Sequence, residues 1–231
     1  MEASTGVPGG RATPPVRSAG EGSQTRRTLS ITADPGPLGL AGFALTTFVL
    51  SMFNADLVSR AGEPVVLGLA LAYGGLAQFA AGMWAFRRGD TFAALAFTSY
   101  GAFWLSYWAL VAFFVKAIPA SHVPATLGLY LWGWGIFTVL LWLGSFARTA
   151  AVSAVLFALA VTFILLGIGN SGADDSIVKA GGWAGLVTAG LAWYAALGEL
   201  IEANLGRAVL PLIPLRRGGR APTLAEVHRE Y

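Results

Sequence analysis

The sequence contains no cysteine and few charged residues. Lys, Arg, Asp and Glu together make up 12% of its 231 residues, whereas 55% are hydrophobic. The absence of cysteine excludes disulfides, thiolate catalysis and Cys-ligated metal sites. A water-soluble domain carries about 25% charged residues, so this chain has too few charges to cover a soluble surface. Together with a mean hydropathy of +0.64, this composition predicts a membrane protein.

Groups that carry catalysis are also scarce. The two histidines, His122 and His228, lie in a predicted loop and in a predicted tail. No nucleophile–base pair, phosphate-binding loop or cluster of metal ligands is recognisable in the sequence. We therefore expect no enzyme activity, no cofactor and no metal. The net charge of +3 does not indicate a nucleic-acid partner, because the basic residues lie in tails and short loops, where membrane topology needs them.

What the sequence does contain is six long apolar segments, at about 37–58, 64–86, 92–115, 123–146, 149–169 and 177–204. Each is close to the ~20 residues with which an α-helix crosses a bilayer. None alternates over ~10 residues as a membrane β-strand does. The sequence therefore predicts an all-α membrane protein with six transmembrane helices. We divide it into an N-terminal tail at 1–32, a six-helix domain at 33–214 and a C-terminal tail at 215–231.

The distribution of positive charge predicts the orientation. Twelve of the fifteen Lys and Arg residues fall on the side that holds both tails, and the other side holds Arg60, Lys116 and Lys179. Cytoplasmic loops carry the excess of Lys and Arg, so we expect both termini in the cytoplasm. The expected location is the plasma (inner) membrane, with the chain crossing it several times.

A few polar residues lie within the apolar segments. Gln78 shares a helix face with Gly74 and Gly82, which suits close packing in lipid. Its amide needs a partner in hydrocarbon, either in packing or along a solute path. Glu199 near the inner end of the last segment suits an interfacial ion pair, with a proton relay as the alternative. Because no Lys or Arg lies deep inside a segment, the sequence favours a small, weakly polar or protonated solute.

Several stretches resemble one known family. DPGPLGL stands at 34–40, and YGGLAQFAAG, FTSYGAFW and GELIEANLGRAVLP follow at 73–82, 97–104 and 198–211, with Asn170 before the last. In this order they are similar to the acetate uptake transporters, which include bacterial succinate–acetate permeases and fungal relatives. The opening motif of that family is Asn-Pro-Ala-Pro-Leu-Gly-Leu, which corresponds here to Asp34, Pro35, Gly36, Pro37, Leu38, Gly39 and Leu40.

The resemblance implies a homo-hexamer of six-helix protomers, each with its own path for acetate and for other short carboxylates such as succinate, linked to proton movement. It implies a constriction formed by Phe43, Tyr100 and Leu159. On the predicted helices these three lie about six, eight and ten residues past the inner ends, within roughly two turns of one depth. Such a ring would be a hydrophobic constriction. The polar contacts that we expect along the path are Asp34, Gln78, Thr98 and Asn170.

This chain departs from the family motif at its first residue. Asp34 replaces the family's Asn, and a carboxylate can cap a helix N-terminus as Asn does. The two prolines suit a first helical turn, where a missing N–H costs nothing. Asp34 would repel an acetate anion unless its carboxylate is protonated or paired. We therefore expect the pH dependence or the substrate preference of this chain to differ from that of family members with Asn at this position.

Two alternatives remain open from the sequence. One is a membrane-embedded sensor of acid or acetate, whose basic N-terminal tail docks a partner or the anionic leaflet. The other is an exporter of another small solute. Removal of residues 1–30 would spare the flux of a transporter but damage a sensor that works through its tail.

Overall fold

The computed structural model describes residues 32–215, which form helices and short connections. The six long helices are α1 (Gly36–Asn54), α2 (Val65–Arg88), α3 (Thr91–Ala117), α4 (Val123–Ala147), α5 (Ala150–Ser171) and α6 (Asp175–Leu205). Each is long and apolar enough to cross a membrane. The predicted all-α architecture with six membrane helices is confirmed, whereas the predicted tails lie outside the described residues except for their inner ends.

The helix ends follow from local sequence. Asp34 Oδ1 accepts the N–H of Gly36 at 2.9 Å, and Asp90 caps α3 by accepting the N–H of Ala93. Such side-chain acceptors satisfy N–H groups that have no partner within the helix. At the other end, α2 stops where Gly89 adopts a φ of +75°, in the left-handed conformation that glycine takes without steric cost.

The short connections make sequence neighbours antiparallel, so the bundle has two faces. We call the end where α1 begins the tail face; there Arg88 pairs with Asp34 at 3.2 Å and Arg148 with Asp90 at 2.8 Å. We call the opposite end the far face. The first pair links the start of α1 to the end of α2, and the second links the start of α3 to the start of α5.

The far face has two ion pairs of its own. Lys179 Nζ lies 2.6 Å from Asp56 Oδ2, and Arg60 lies 3.4 Å from Asp175. The hydrogen bond and charge of Lys179 hold the pKa of Asp56 below its usual value. These pairs tie the end of α1 and the turn after it to the first turns of α6.

Close helix contacts occur where the sequence places glycine. The backbone of α2 at Gly74 is so near α1 and α3 that a Cβ there would lie within 2.8 Å of Thr46 and Trp104. At Gly82 a Cβ would meet the backbone N of Thr98 in α3. The predicted role of the glycines of α2 in close packing agrees with this geometry.

Helix α2 is not regular. Residues Ala72–Ala77 form a π-helical turn, which the hydropathy pattern did not predict. Such turns occur mostly as single insertions within α-helices, often at functional sites. This turn packs against α1 and α3, and it ends immediately before Gln78.

A second unpredicted feature is the strap, residues 210–215, which follows α6. It folds back along the tail face, where the carbonyls of Ile213 and Leu212 accept the N–H groups of Ala150 and Ala151 at the start of α5. Leu215 N–H in turn donates to the carbonyl of Arg148 at 2.9 Å. The strap therefore caps α5 with backbone carbonyls.

Candidate functional site: a route through the bundle

Three cavities lie between the helices. The first, the vestibule, has a volume of about 510 Å³ and reaches from the far face to the middle of the bundle. The second, the middle cavity, holds about 50 Å³. The third, the tail cavity, holds about 820 Å³ at the tail face. Each is formed by residues of several helices.

The cavities share walls. Phe43 and Leu159 line both the vestibule and the middle cavity. Phe92 lines both the middle cavity and the tail cavity. The three spaces are thus neighbours in the order vestibule, middle cavity, tail cavity.

The three residues expected to form a constriction come together at one level. Phe43, Tyr100 and Leu159 are 5%, 3% and 3% exposed, and all three line the middle cavity. The ring centroids of Phe43 and Tyr100 are 5.8 Å apart. Phe43 and Leu159 also line the vestibule, whereas Tyr100 lines the middle cavity and not the vestibule. That the three form a ring and gate the route stays a prediction.

Gln78 is the polar residue with the most unusual surroundings. Its side chain is 1% exposed and lines the middle cavity, and its Oε1 has no hydrogen-bond partner within residues 32–215. Leaving a buried acceptor unsatisfied costs roughly 1–3 kcal/mol. Only apolar atoms form the surface of that cavity, and the Tyr100 hydroxyl points away from it to Thr138. Gln78 therefore places an unpartnered acceptor in the wall, but its Oε1 does not face the cavity.

Asp34 lies in the wall of the tail cavity, with Pro35 and Gly36 of the same motif. Its carboxylate is both a helix cap and the partner of Arg88. Asp34 is therefore paired, and an ion-paired carboxylate repels an acetate anion less than a lone carboxylate would. Leu40, one turn further along α1, lines the middle cavity.

The remaining residues of the opening motif support the start of α1. Gly39 packs against the ring of Phe97, Pro37 lies in the first turn, and Leu38 is exposed on the outside of the bundle. The motif thus spans from the tail cavity to the middle cavity along one helix.

Glu199 on α6 also lines the tail cavity. It lies against Gly36, where a Cβ would collide with its carboxylate. Its charged neighbours are Asp34, Arg148, Asp90 and Glu202, and it makes no ion pair in the described part of the chain. The ion pair that the sequence suggested for Glu199 is thus not formed among the described residues. Glu199 is a carboxylate in the wall of the tail cavity, and its role as a proton relay stays a prediction.

The other two polar candidates differ in position. Asn170 lines the vestibule, and its Nδ2 donates to the carbonyl of Leu166 at 2.8 Å. Thr98 lines none of the three cavities; its hydroxyl donates to the carbonyl of Ala94 at 2.6 Å. Thr98 thus takes part in packing between α2 and α3, and the structure does not bring it together with the other candidates.

Charge is confined to the two ends of the route. The middle cavity has no Lys, Arg, Asp or Glu among the described residues that line it. The vestibule carries Arg60, Glu63 and Asp175 in its wall, and the tail cavity carries Asp34, Arg88, Asp90, Arg148, Glu199 and Glu202. A solute that crosses the bundle therefore leaves a charged mouth, passes an apolar centre and reaches a second charged mouth.

Sequence reasoning missed two kinds of residue at this site. Phe92 separates the middle cavity from the tail cavity, but it lies in the first turn of α3 without a recognisable motif. Trp104 and Thr47 line the vestibule with buried polar atoms that lack a partner within the described chain. Only the FTSYGAFW stretch could have pointed to Trp104.

The sequence has recognisable relatives. The family model described as the GPR1/FUN34/yaaH family matches residues 22–217. The chain belongs to this family. It is 38% identical over 180 residues to the succinate-acetate/proton symporter SatP of Escherichia coli, which covers 78% of this chain and 95% of that protein. It is 44% identical over 167 residues to ammonia transport outward protein 2 of Saccharomyces cerevisiae, which covers 70% of this chain and 59% of that protein.

A solved structure shares the fold. The structure of the bacterial acetate channel SatP superposes with a TM-score of 0.73 at 38% sequence identity, and it covers 78% of this chain and 98% of that one. The predicted resemblance to the acetate uptake transporters is confirmed. The prediction of a multi-pass membrane protein is confirmed as well, and the family is one of transporters and channels, not of enzymes. The GPR1/FUN34/yaaH relationship covers the whole six-helix region.

Proposed function

We propose that this chain is a channel-like permease for acetate, and that acetate crosses its centre as the undissociated acid. The observation that carries the proposal is the middle cavity, which is small and whose surface is formed by apolar atoms alone. Gln78 stands in its wall with an unpartnered Oε1 that does not face the cavity. The names of the SatP relative and of the solved acetate channel support acetate as the solute.

The middle cavity favours a neutral acid over its anion. A carboxylate loses its hydration there and meets no positive group, which is costly in a low dielectric. The undissociated acid has no net charge, and its O–H can donate to Oε1 of Gln78 once that side chain turns into the cavity. An anion has no proton to donate and would face that oxygen lone pair to lone pair.

Phe43, Tyr100 and Leu159 set the size limit in this proposal. A ring of apolar side chains excludes hydrated ions and admits solutes by cross-section. A cavity of about 50 Å³ suits acids of two or three carbons. Succinate, which the name of the SatP relative includes, would need the ring to open further, so we expect its flux to be lower than that of acetate.

Because the neutral acid carries its proton with it, acetate movement is coupled to proton movement. Glu199 in the tail cavity is our candidate for the group that exchanges this proton with the tail side, and Asn170 offers an amide contact in the vestibule. Asp34 would act on the solute only through the field of its pair with Arg88. Thr98 would contribute through packing.

We further propose that the tail face is cytoplasmic in the plasma membrane and that protomers assemble as a hexamer. The tail face holds Arg87 and Arg88 at the end of α2 and Arg148 before α5, in keeping with the excess of positive charge inside. The division into two tails and one helical domain belongs to the same proposal.

The test is the selectivity of Phe43→Ala and Tyr100→Ala in proteoliposomes. We expect the butyrate-to-acetate flux ratio to rise by roughly tenfold, because the loss of one aromatic ring widens the constriction by more than the size of a methylene group. Phe86→Ala, which removes an exposed ring of α2, is the matched control and should leave the ratio unchanged. Unchanged kinetics and selectivity in both path variants would refute the gate.

Ammonia is a second candidate solute, because the Saccharomyces cerevisiae relative is named for its outward transport. Neutral ammonia also fits a small apolar cavity and can donate to Gln78. Flux of acetate and of ammonia through the same proteoliposomes separates the two. Absence of both fluxes from folded protein would instead favour the sensor alternative.

A further inference from the structure

We infer that Thr138 on α4 is a positioning residue for the constriction, because it holds the hydroxyl of Tyr100 away from the route. This inference rests on the proposed function. Thr138 lines none of the three cavities and belongs to none of the stretches that carry the family resemblance. Its effect on the solute would therefore come through Tyr100.

The hydrogen bonds at Thr138 have a fixed direction. The Thr138 hydroxyl donates to the carbonyl of Trp134, 2.7 Å away on the same helix. Its oxygen is then free to accept, and the Tyr100 hydroxyl donates to it at 3.0 Å. Thr138 is fully buried, so a Tyr100 hydroxyl that left it would pay for an unsatisfied donor.

The ring of Tyr100 is held on both sides. Its centroid lies 5.8 Å from that of Phe43 on α1, and 5.8 Å and 6.4 Å from those of Phe137 and Trp134 on α4. The backbones of α3 and α4 approach each other at few points. Side chains therefore bridge these two helices, and the bond to Thr138 fixes the end of the ring that aromatic packing alone leaves free to slide.

A released Tyr100 hydroxyl would have another acceptor available. Gln78 belongs to the wall of the same middle cavity, and its buried Oε1 lacks a partner within residues 32–215. A tyrosine that turned toward it would enter the route and occupy the acceptor that we assign to the acid. Thr138 thus keeps hydrocarbon, and not a hydroxyl, at the constriction.

The test compares Thr138→Val with Thr138→Ser in proteoliposomes. Valine has nearly the same shape but cannot accept a hydrogen bond, whereas serine keeps the hydroxyl. We expect Thr138→Val to change the butyrate-to-acetate flux ratio by about fivefold, the equivalent of one lost hydrogen bond, and Thr138→Ser to keep the wild-type ratio. Thr188→Val is the matched control, since Thr188 is equally buried and bonds to Ala184 and Thr162 away from Tyr100.

A double variant separates positioning from general packing. If Thr138 acts through the hydroxyl of Tyr100, Thr138→Val has no further effect on the ratio in a Tyr100→Phe background. Additive effects, or a wild-type ratio in folded Thr138→Val, would overturn the inference and leave the proposed function standing. Absence of acetate flux in the wild type would overturn the proposed function, and with it this role of Thr138.

Discussion

At the scale of single residues, Gln78 shows how stability and function can oppose each other. A buried acceptor without a partner in the described chain destabilises the fold, and an apolar side chain of the same size removes that cost. Retaining an amide there is understandable if a solute supplies the missing donor. Gln78 stands in the wall of the middle cavity, and its contact with the acid stays a proposal.

Gln78→Met should therefore have effects of opposite sign. We expect the melting temperature in detergent to stay the same or to rise, since methionine fills similar space without an unsatisfied oxygen. Acetate flux should fall by about tenfold, the equivalent of a hydrogen bond of ~1.4 kcal/mol in the bound state. If stability and flux fall together, Gln78 is a packing residue and its place in the route is wrong.

Asp56 allows a test of electrostatics on the far face. It adopts a φ of +60°, a conformation that Asn tolerates, so Asp56→Asn removes the charge without changing the backbone. The pKa of Asp56 is lowered in the folded protein by Lys179. The stabilisation is therefore present above the usual pKa of Asp, about 3.9, and is lost as the pH falls through the folded pKa.

We expect Asp56→Asn to melt slightly below the wild type at pH 7, and the difference to disappear as the pH falls through the lowered pKa of Asp56 in the folded protein. The effect is small because both partners are about half exposed, and high salt should reduce it. Thermal melts in detergent across this pH range are the measurement. A difference that persists at low pH would point to a cause other than the ion pair.

At the scale of helices, hydropathy in the sequence predicted the number and the length of the membrane helices, but it did not predict local irregularities. The six apolar segments match the six helices within a few residues, because the bilayer imposes both length and apolarity. The π-turn at Ala72–Ala77 and the strap at 210–215 have no periodic signal. Only the family resemblance could predict that Phe43, Tyr100 and Leu159 lie close together, since their proximity depends on how α1, α3 and α5 pack.

Packing of α1 against α6 offers a test at this scale. At Gly182 a Cβ would collide with the backbone of Asn54 and Ala55 at the end of α1, whereas at Gly190 on the same helix no atom of the described chain lies within 4 Å. We expect Gly182→Ala to destabilise the protein by about 1–3 kcal/mol, because backbone cannot yield as a side chain does. Gly190→Ala should be neutral or slightly stabilising. Equal melting temperatures for the two variants would contradict this contact.

At the scale of the whole molecule, the protein is a bundle with charge at both ends and an apolar centre. The ion pairs at the faces anchor the helix ends, while the cavities leave room between them. Under the proposed function such a molecule conducts solutes that can shed their charge, because the surface of the middle cavity is apolar and its described lining residues include no counter-ion. The central claim is therefore that the transported species carries no net charge.

The most direct test is the voltage dependence of acetate entry. Labelled acetate would be followed into proteoliposomes at equal internal and external pH, with the membrane potential set by a K⁺ gradient and valinomycin, and the rate in protein-free liposomes subtracted. We expect the protein-dependent initial rate to be the same at zero and at inside-positive potential, because the neutral acid moves no charge. A rate that rises with inside-positive potential would show that the anion crosses, and would contradict the claim.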